Sequence, residues 1–419
     1  MNFRPHAALA VVLLCCAQPA LAADGELALR VHLNPEHELF NRPLVTVSVC
    51  SPQAEGAARS CIEVPNVLVD TGSTGLLLRR TALKGLGGLK PAGAGGYAYC
   101  GRYQNNVIWG HLAQARVGLG DRHTESPIAI ALFDLMPDDR AEGCAPRETN
   151  LPYAINVVPP GINGVLGVST IPATCAKYPG GACPTADDEA RYYRRGAGDE
   201  ASLGASAWHG VQPPPEYELS NPVAALPPTF NDGVTLRVDA PDSAALKSGV
   251  SSGTLYLGTG RWREQLFAAG TKRIPLVHMS LARVAIVPEH SAPHLAQALL
   301  DSGNCWNFLP ASFLPHATDA YASSLQPMKL FFAALDASGP FAKDGPYRVA
   351  IADADSAAIE PDDQHGVATS FRDSKRLLLG MPFFYGRTIA FGLAGDPRQA
   401  SGHAPDPGYL MIAPGPQDG

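Results

Sequence analysis

Twice in this chain a short apolar strand runs straight into an acid, and few folds accommodate that pattern. Val67-Leu68-Val69 leads into Asp70-Thr71-Gly72-Ser73 and then a second apolar run, Leu76-Leu77-Leu78. Ala298-Leu299-Leu300 leads into Asp301-Ser302-Gly303-Asn304. A carboxylate at the end of a buried strand is costly unless something pairs with it or uses it. The glycine two residues on lets the backbone turn tightly behind the acid. The short hydroxyls of Thr71, Ser73 and Ser302 can hydrogen-bond the turn or the carboxylate. A single Asp-Thr-Gly would read as a structural Asx-type turn. Two of them, 301 − 70 = 231 positions apart, suit one acid from each of two similar lobes. Each acid is also followed by an apolar-apolar-Gly stretch. Val165-Leu166-Gly167 ends 167 − 70 = 97 residues after the first, and Leu378-Leu379-Gly380 ends 380 − 301 = 79 after the second. Motifs repeated in the same order point to a duplicated unit.

The remaining sequence is consistent with two β-rich lobes. At 419 residues the chain can bury two cores. Hydrophobic content of 46% with only 17% charge argues against wholesale disorder. The 42 glycines and 38 prolines supply many turns and favour strands over a helical bundle. Net charge is −7 and no basic stripe interleaves with aromatics, which argues against nucleic acid as a partner. Alternating or buried-strand patterns predict strands at Glu26 to Leu33, Leu44 to Val49, Asn66 to Val69, Leu76 to Leu78 and Gly164 to Val168. Tyr97 to Tyr103 and Val107 to Val117 read as a hairpin around Gln104-Asn105-Asn106, with Tyr103 just before the turn and Trp109-Gly110 just after it. Residues 172–232, rich in Pro, Gly, Ala and charge, read as a long, partly unstructured surface insertion. Gly253 to Gly260 reads as a short strand with turn residues at both ends, and the lobe boundary is placed just after it. Strands follow at Arg273 to Pro275, Ala282 to Val287, Leu295 to Leu300, Phe383-Phe384 and Thr388 to Phe391, with a short helix within Ala311 to Leu325. Asp353, Asp355, Glu360, Asp362 and Asp363 form an acidic loop without the glycine and ligand spacing of an EF-hand. His111, His278 and His290 are isolated and read as surface or strand residues.

The N-terminus carries the pattern of an export signal: Arg4, an apolar core from Ala7 to Ala17, and Ala20-Leu21-Ala22 as a small-x-small cleavage site. The apolar run is short for a bilayer span, so residues 1–22 are read as a signal peptide, and the mature chain is expected to carry no transmembrane segment. A lipid anchor at Cys15 or Cys16 stays open, although no lipobox precedes them. The implied location is the periplasm or the exterior, where disulfides persist. Cys50 with Cys61 and Cys175 with Cys183 are close enough to clip local loops, and Cys100 with Cys144 is a further candidate pair. Cys305 is then left odd beside the second acid. No Cys-x-x-Cys pair points to zinc, and neither metal nor organic cofactor is expected.

If the lobes bring Asp70 and Asp301 face to face, both cannot ionise cheaply, and the pair shares one proton. The ionised member can then take a proton from water while the protonated member polarises a carbonyl, which is acid–base hydrolysis. At this point the residues resemble the pepsin-like aspartic peptidases. Val67 to Ser73 is similar to that family's first active-site motif and Asp301-Ser302-Gly303 to its second. Val165-Leu166-Gly167 and Leu378-Leu379-Gly380 resemble the strands beneath each catalytic loop. Tyr103 resembles the flap tyrosine, with Tyr99 in reserve. The Trp109-Gly110, Asn163 to Val168 and Ser220-Asn221-Pro222-Val223 segments resemble, more narrowly, a family of exported proteobacterial proteins of unknown function related to pepsins.

These resemblances imply an all-β, bilobal fold with a central cleft and few helices, a first lobe over 23–260 and a second over 261–419. They imply catalysis by Asp70 and Asp301, supported by Thr71, Gly72, Ser73, Ser302, Gly303 and Asn304, with a peptide or unfolded protein segment as partner. Two departures stand out: Asn304 replaces the family's Ser or Thr, and Leu77 replaces a Trp that holds the flap tyrosine. They keep a second reading alive, a catalytically idle binding protein of the cell envelope.

Overall fold

The fold is seen in a computed structural model that describes residues 24–34, 37–52, 60–93, 96–103, 106–134, 139–145, 158–196, 208–288, 293–310, 326–336, 339–352, 365–367, 369–371, 376–399 and 406–418. The signal segment 1–22, His290, the helix expected within Ala311 to Leu325 and the acidic loop around Asp353 to Asp363 lie outside the described residues.

Strands dominate, and the two acid motifs are built alike. In the first half the strand Cys61–Asp70 delivers the acid and Thr74–Arg79 leaves its loop. Gly164–Val168 lies between them, parallel to the first with Leu166 opposite Val69 and antiparallel to the second with Leu166 opposite Leu76. In the second half His294–Leu300 delivers the acid, and Arg376–Leu379 runs parallel to it with Leu378 opposite Leu299. Arg376–Leu379 also meets Phe308–Pro310 through Leu378 and Phe308. The glycine that closes each apolar-apolar-Gly motif has a steric reason. A Cβ at Gly167 would sit 2.7 Å from the Thr74 nitrogen, and one at Gly380 would sit 2.1 Å from the Trp306 carbonyl. Each glycine therefore lets its strand press against the chain leaving its own acid loop.

Burial on both faces explains why these strands read as unbroken apolar runs rather than alternating ones. Val67, Leu68, Val69, Leu76, Leu77, Leu78, Val165 and Leu166 are fully buried. Each such side chain stabilises the fold by roughly 1.5–3 kcal/mol relative to exposure.

The halves are tied by an antiparallel sheet. Glu26–His32 pairs with Val250–Leu257, which pairs with Gly233–Val238. Gly233–Val238 in turn pairs with Thr388–Gly392, and that strand with Tyr409–Ala413. Leu27, Leu255, Leu236, Ile389 and Leu410 extend one core across it.

Three expectations are corrected. Phe383 and Phe384 lie in a short helix, Met381–Phe384, because Pro382 stands in its first turn, where a missing N–H costs nothing. Gly253 to Gly260 is not wholly strand and turn, since Thr259–Leu266 begins a helix there. The described part of 172–232 is not a surface insertion: Tyr192, Tyr193 and Trp208 are buried, and Tyr192–Arg195 and Trp208–Gly210 form strands. The partner that orders this segment is Tyr97–Tyr103, about ninety residues earlier, which no local pattern reveals.

Disulfides join Cys50 to Cys61, Cys100 to Cys144 and Cys175 to Cys183, while Cys305 is a buried free thiol. No helix among the described residues is long and apolar enough to cross a membrane.

Candidate active site

The two acid loops meet and exchange equivalent bonds. Thr71 Oγ1 donates to the Leu300 carbonyl at 2.9 Å and accepts from the Ser302 nitrogen at 2.9 Å. Ser302 Oγ donates to the Val69 carbonyl at 2.7 Å and accepts from the Thr71 nitrogen at 3.2 Å. All four groups are buried, so the exchange leaves no polar atom at the crossing without a partner.

The acids lie just beyond that crossing. The nitrogens of Gly72 and Gly303 donate to Asp70 and Asp301 at 2.8 and 3.0 Å. A Cβ on Gly72 would sit 2.6 Å from the Asp301 carboxyl carbon, and one on Gly303 would sit 2.7 Å from that of Asp70. Each acid therefore packs on the other loop's glycine, and no larger residue fits without moving it.

Burial, then the charge of Asp70 and the nearness of its carboxyl, push the Asp301 carboxyl well above the usual carboxylate range; the Gly303 N–H and the Arg42 guanidinium act against the shift. A carboxyl so placed keeps its proton, which lies within reach of its neighbour. The loops differ in one respect. Ser73 Oγ donates to Asp70 at 2.5 Å, whereas Oδ1 of the equivalent Asn304 is buried and has no hydrogen-bond partner.

Tyr103 lies near enough to Asp70 to feel its charge. Its strand, Tyr97–Tyr103, pairs with Asn106–Leu119 as the predicted hairpin, with Tyr99 opposite Gly110 and Arg102 opposite Val107. Leu77 stands where the resembled family carries a tryptophan, and Tyr103 packs against the cluster that contains it. Burial, then Tyr99 and Asp70, raise the Tyr103 phenol well above its ordinary value and keep it neutral. Tyr99 is also raised, first by burial, and packs its ring 5.3 Å from that of Tyr192.

Sequence reasoning missed the supports of the second loop. Asn41, buried with a left-handed φ of 51°, donates to the Cys305 carbonyl at 3.0 Å and accepts from the Tyr385 hydroxyl at 2.6 Å. The Cys305 thiol donates to the Phe40 carbonyl, and Trp306 packs on the Phe40 ring. Phe40-Asn41-Arg42 thus braces the loop of Asp301 from the other half. The only local signal was an asparagine, which tolerates left-handed backbone, before a proline-led strand. His111 lies on a strand 3.1 Å from Asp139, and His278 sits in a turn with φ 50°. Among the described residues no group of three or more His, Cys, Asp or Glu side chains gathers as a metal site.

A mostly β chain whose two like halves set one acid each against the other, on crossed and hydrogen-bonded loops, has the pepsin-like, or acid protease, architecture. The chain belongs to the family described as a protein of unknown function, DUF3443, whose model matches residues 22–409. No curated protein matches the sequence. Among solved structures 303 chains match. One is the aspartic proteinase from Irpex lacteus, 13% identical with a TM-score of 0.48, the match covering 94% of this chain and 98% of that one.

Proposed function

We propose that the protein is an exported aspartic endopeptidase, acting in the periplasm or outside the cell on peptides or unfolded segments held between its lobes. Residues 23–260 would supply Asp70 and the flap tyrosine Tyr103, and residues 261–419 would supply Asp301. The single observation that carries the reading is that Asp70 and Asp301 each pack on the other loop's glycine, which sets the two carboxyls beside each other. In this scheme Asp70, which accepts from the Gly72 N–H and the Ser73 hydroxyl, takes a proton from water as the water oxygen attacks the carbonyl carbon. Asp301 gives its proton to the carbonyl oxygen. The tetrahedral diol then collapses: the C–N bond breaks, the proton on Asp70 goes to the leaving amine, and one diol hydroxyl returns its proton to Asp301 as the carboxylic acid forms. The three disulfides suit an oxidising compartment.

The test is digestion of a denatured protein by the purified mature chain across about pH 3 to 7. Cleavage at acid pH, lost in Asp70→Asn and in Asp301→Asn, supports the reading; no cleavage anywhere in that range overturns it. One observation favours a second reading, an idle peptide-binding protein: Asp301 lacks the hydroxyl partner that Asp70 has, and Asn304 Oδ1 goes unpaired. Peptide binding that survives in the Asp70→Asn/Asp301→Asn double variant, from a parent that cuts nothing, is the outcome it requires.

A further inference from the structure

We infer that Arg191 recognises an acidic side chain of the bound peptide, next to the scissile bond on the Asp70 side. This rests on the peptide-holding reading above and names its substrate preference.

Arg191 stands just before the strand Tyr192–Arg195, opposite Cys100, and its side-chain contacts decide which face it joins. The Cys100 nitrogen donates to the Arg191 carbonyl at 2.8 Å, and the next residue, Tyr192, lies opposite Tyr99. Along Tyr97–Tyr103 alternate side chains point to opposite faces. Tyr97, Tyr99 and Tyr103 pack with the core of Leu77, Leu112 and Phe133, while Ala98 and Cys100 pack with Trp109 and Trp208 on the other side. The Arg191 side chain joins the first set: its Nε donates to the Tyr178 hydroxyl at 3.1 Å, and it interacts electrostatically with Tyr99 and Tyr103. Tyr178 and Tyr103 both pack against the cluster that holds Tyr99 and Leu77, so the guanidinium stands on the side of the flap strand that faces the acid loop's own strands.

Its surroundings lack a counter-charge. Several other partly or wholly buried arginines are paired: Arg195 with Asp139, Arg387 with Asp418, Arg398 with Glu218 and Asp396, and Arg79 with three carbonyls. Among the described residues no carboxylate pairs with Arg191, whose one hydrogen-bond partner is a neutral phenol. The titratable groups facing it are Tyr99 and Tyr103 on the flap strand and Tyr178 on the preceding turn. Arg102 and Asp70 lie beyond, both acting on Tyr99. Burial works to lower the Arg191 guanidinium, and the three tyrosines outweigh it and raise it. A half-buried, always-charged fork with N–H groups open to a ligand is matched best by a planar, two-pronged carboxylate.

The experiment uses peptide pairs carrying Glu or Gln at each residue flanking the scissile bond, assayed on the mature chain at roughly pH 5.5, where glutamate is ionised. The expected result is about a tenfold preference in kcat/KM for Glu at one position, carried by KM. The preference vanishes as pH falls below about 4, where the peptide carboxyl takes a proton. Arg191→Gln abolishes it and Arg191→Lys retains part of it. No preference in a parent that cleaves overturns the inference and leaves the peptidase reading standing. So does an Arg191→Gln variant that loses activity on Glu and Gln peptides alike. If nothing is cleaved, dansyl-labelled Glu and Gln peptides are titrated into the parent and Arg191→Gln. An Arg191-dependent Glu preference in Kd then sustains the site without hydrolysis; equal Kd values overturn it.

Discussion

Thr71 and Ser302 each satisfy two groups of the opposite half with one hydroxyl, so their substitution is not a surface change. Thr71→Val would leave the Leu300 carbonyl and the Ser302 nitrogen buried without partners. Losing a buried partner of this kind costs about 1–3 kcal/mol. Urea unfolding should show Thr71→Val destabilised by about 2–3 kcal/mol and Thr71→Ser near neutral. Combined with Ser302→Ala, the losses should fall short of their sum by about 1 kcal/mol or more, because both hydroxyls serve one crossing. Additive losses would mean that the two bonds do not act as a unit. The acids and their hydroxyls were legible in the sequence because each small residue has one evident use beside a carboxylate. Asn41 and Arg191 were not, because their roles exist only through segments hundreds or tens of residues away. Asn41 reaches Cys305 and Tyr385, and Arg191 reaches back to Cys100.

At the scale of elements, the hairpin that carries Tyr103 is braced rather than free. Tyr97–Tyr103 pairs on its outer edge with Tyr192–Arg195, and that strand with Trp208–Gly210. Cys100 is bonded to Cys144. Arg102, next to Tyr103, donates to the carbonyls of Gly143, Asp188, Glu189 and Ala190. Edge strands expose a row of unpaired backbone groups, and here the 172–232 segment covers that row. Amide exchange of Tyr99, Cys100 and Gly101 is therefore predicted to be slow, near the global unfolding limit. Arg102→Met should speed it about tenfold or more while the amides of Val67 to Val69 keep their protection. Equal acceleration in both places would show that Arg102 supports the whole lobe, not the flap. The hairpin was readable from its polar turn between aromatic strands. The brace was not: its strands are only a few residues long and sit within glycine- and proline-rich sequence, where the buried Tyr192-Tyr193 pair has no alternating pattern around it.

For the whole molecule, the same acids that lie where the halves meet set how stability responds to pH. Burial, then Asp70, raises Asp301, and burial raises Glu218, whose carboxylate accepts from the Cys175 nitrogen at 2.6 Å and pairs with Arg398 from the second half. Asp396 is lowered, chiefly by its hydrogen bond to Arg398. For a raised carboxyl the native state holds a proton that the unfolded chain has released. Stability from such a group is full below the unfolded value, near 4, and is lost as pH rises through the folded value. A lowered carboxyl contributes in the opposite sense, but its contribution is already complete above about pH 4. Between roughly pH 4 and 7 Asp301 and Glu218 both make the slope negative, and together they outweigh the opposite contribution of His32, whose imidazole burial lowers. Thermal unfolding should give the highest midpoint on the acid side of neutrality, with a decline toward pH 7. Asp301→Asn should flatten that decline and raise the midpoint at neutral pH by about 2 °C, on the order of 1 kcal/mol, while removing any peptidase activity. A midpoint that climbs from pH 4 to 7, or an Asp301→Asn chain less stable than the parent at neutral pH, would mean that the second acid is held ionised, and the shared proton would have no place in the site.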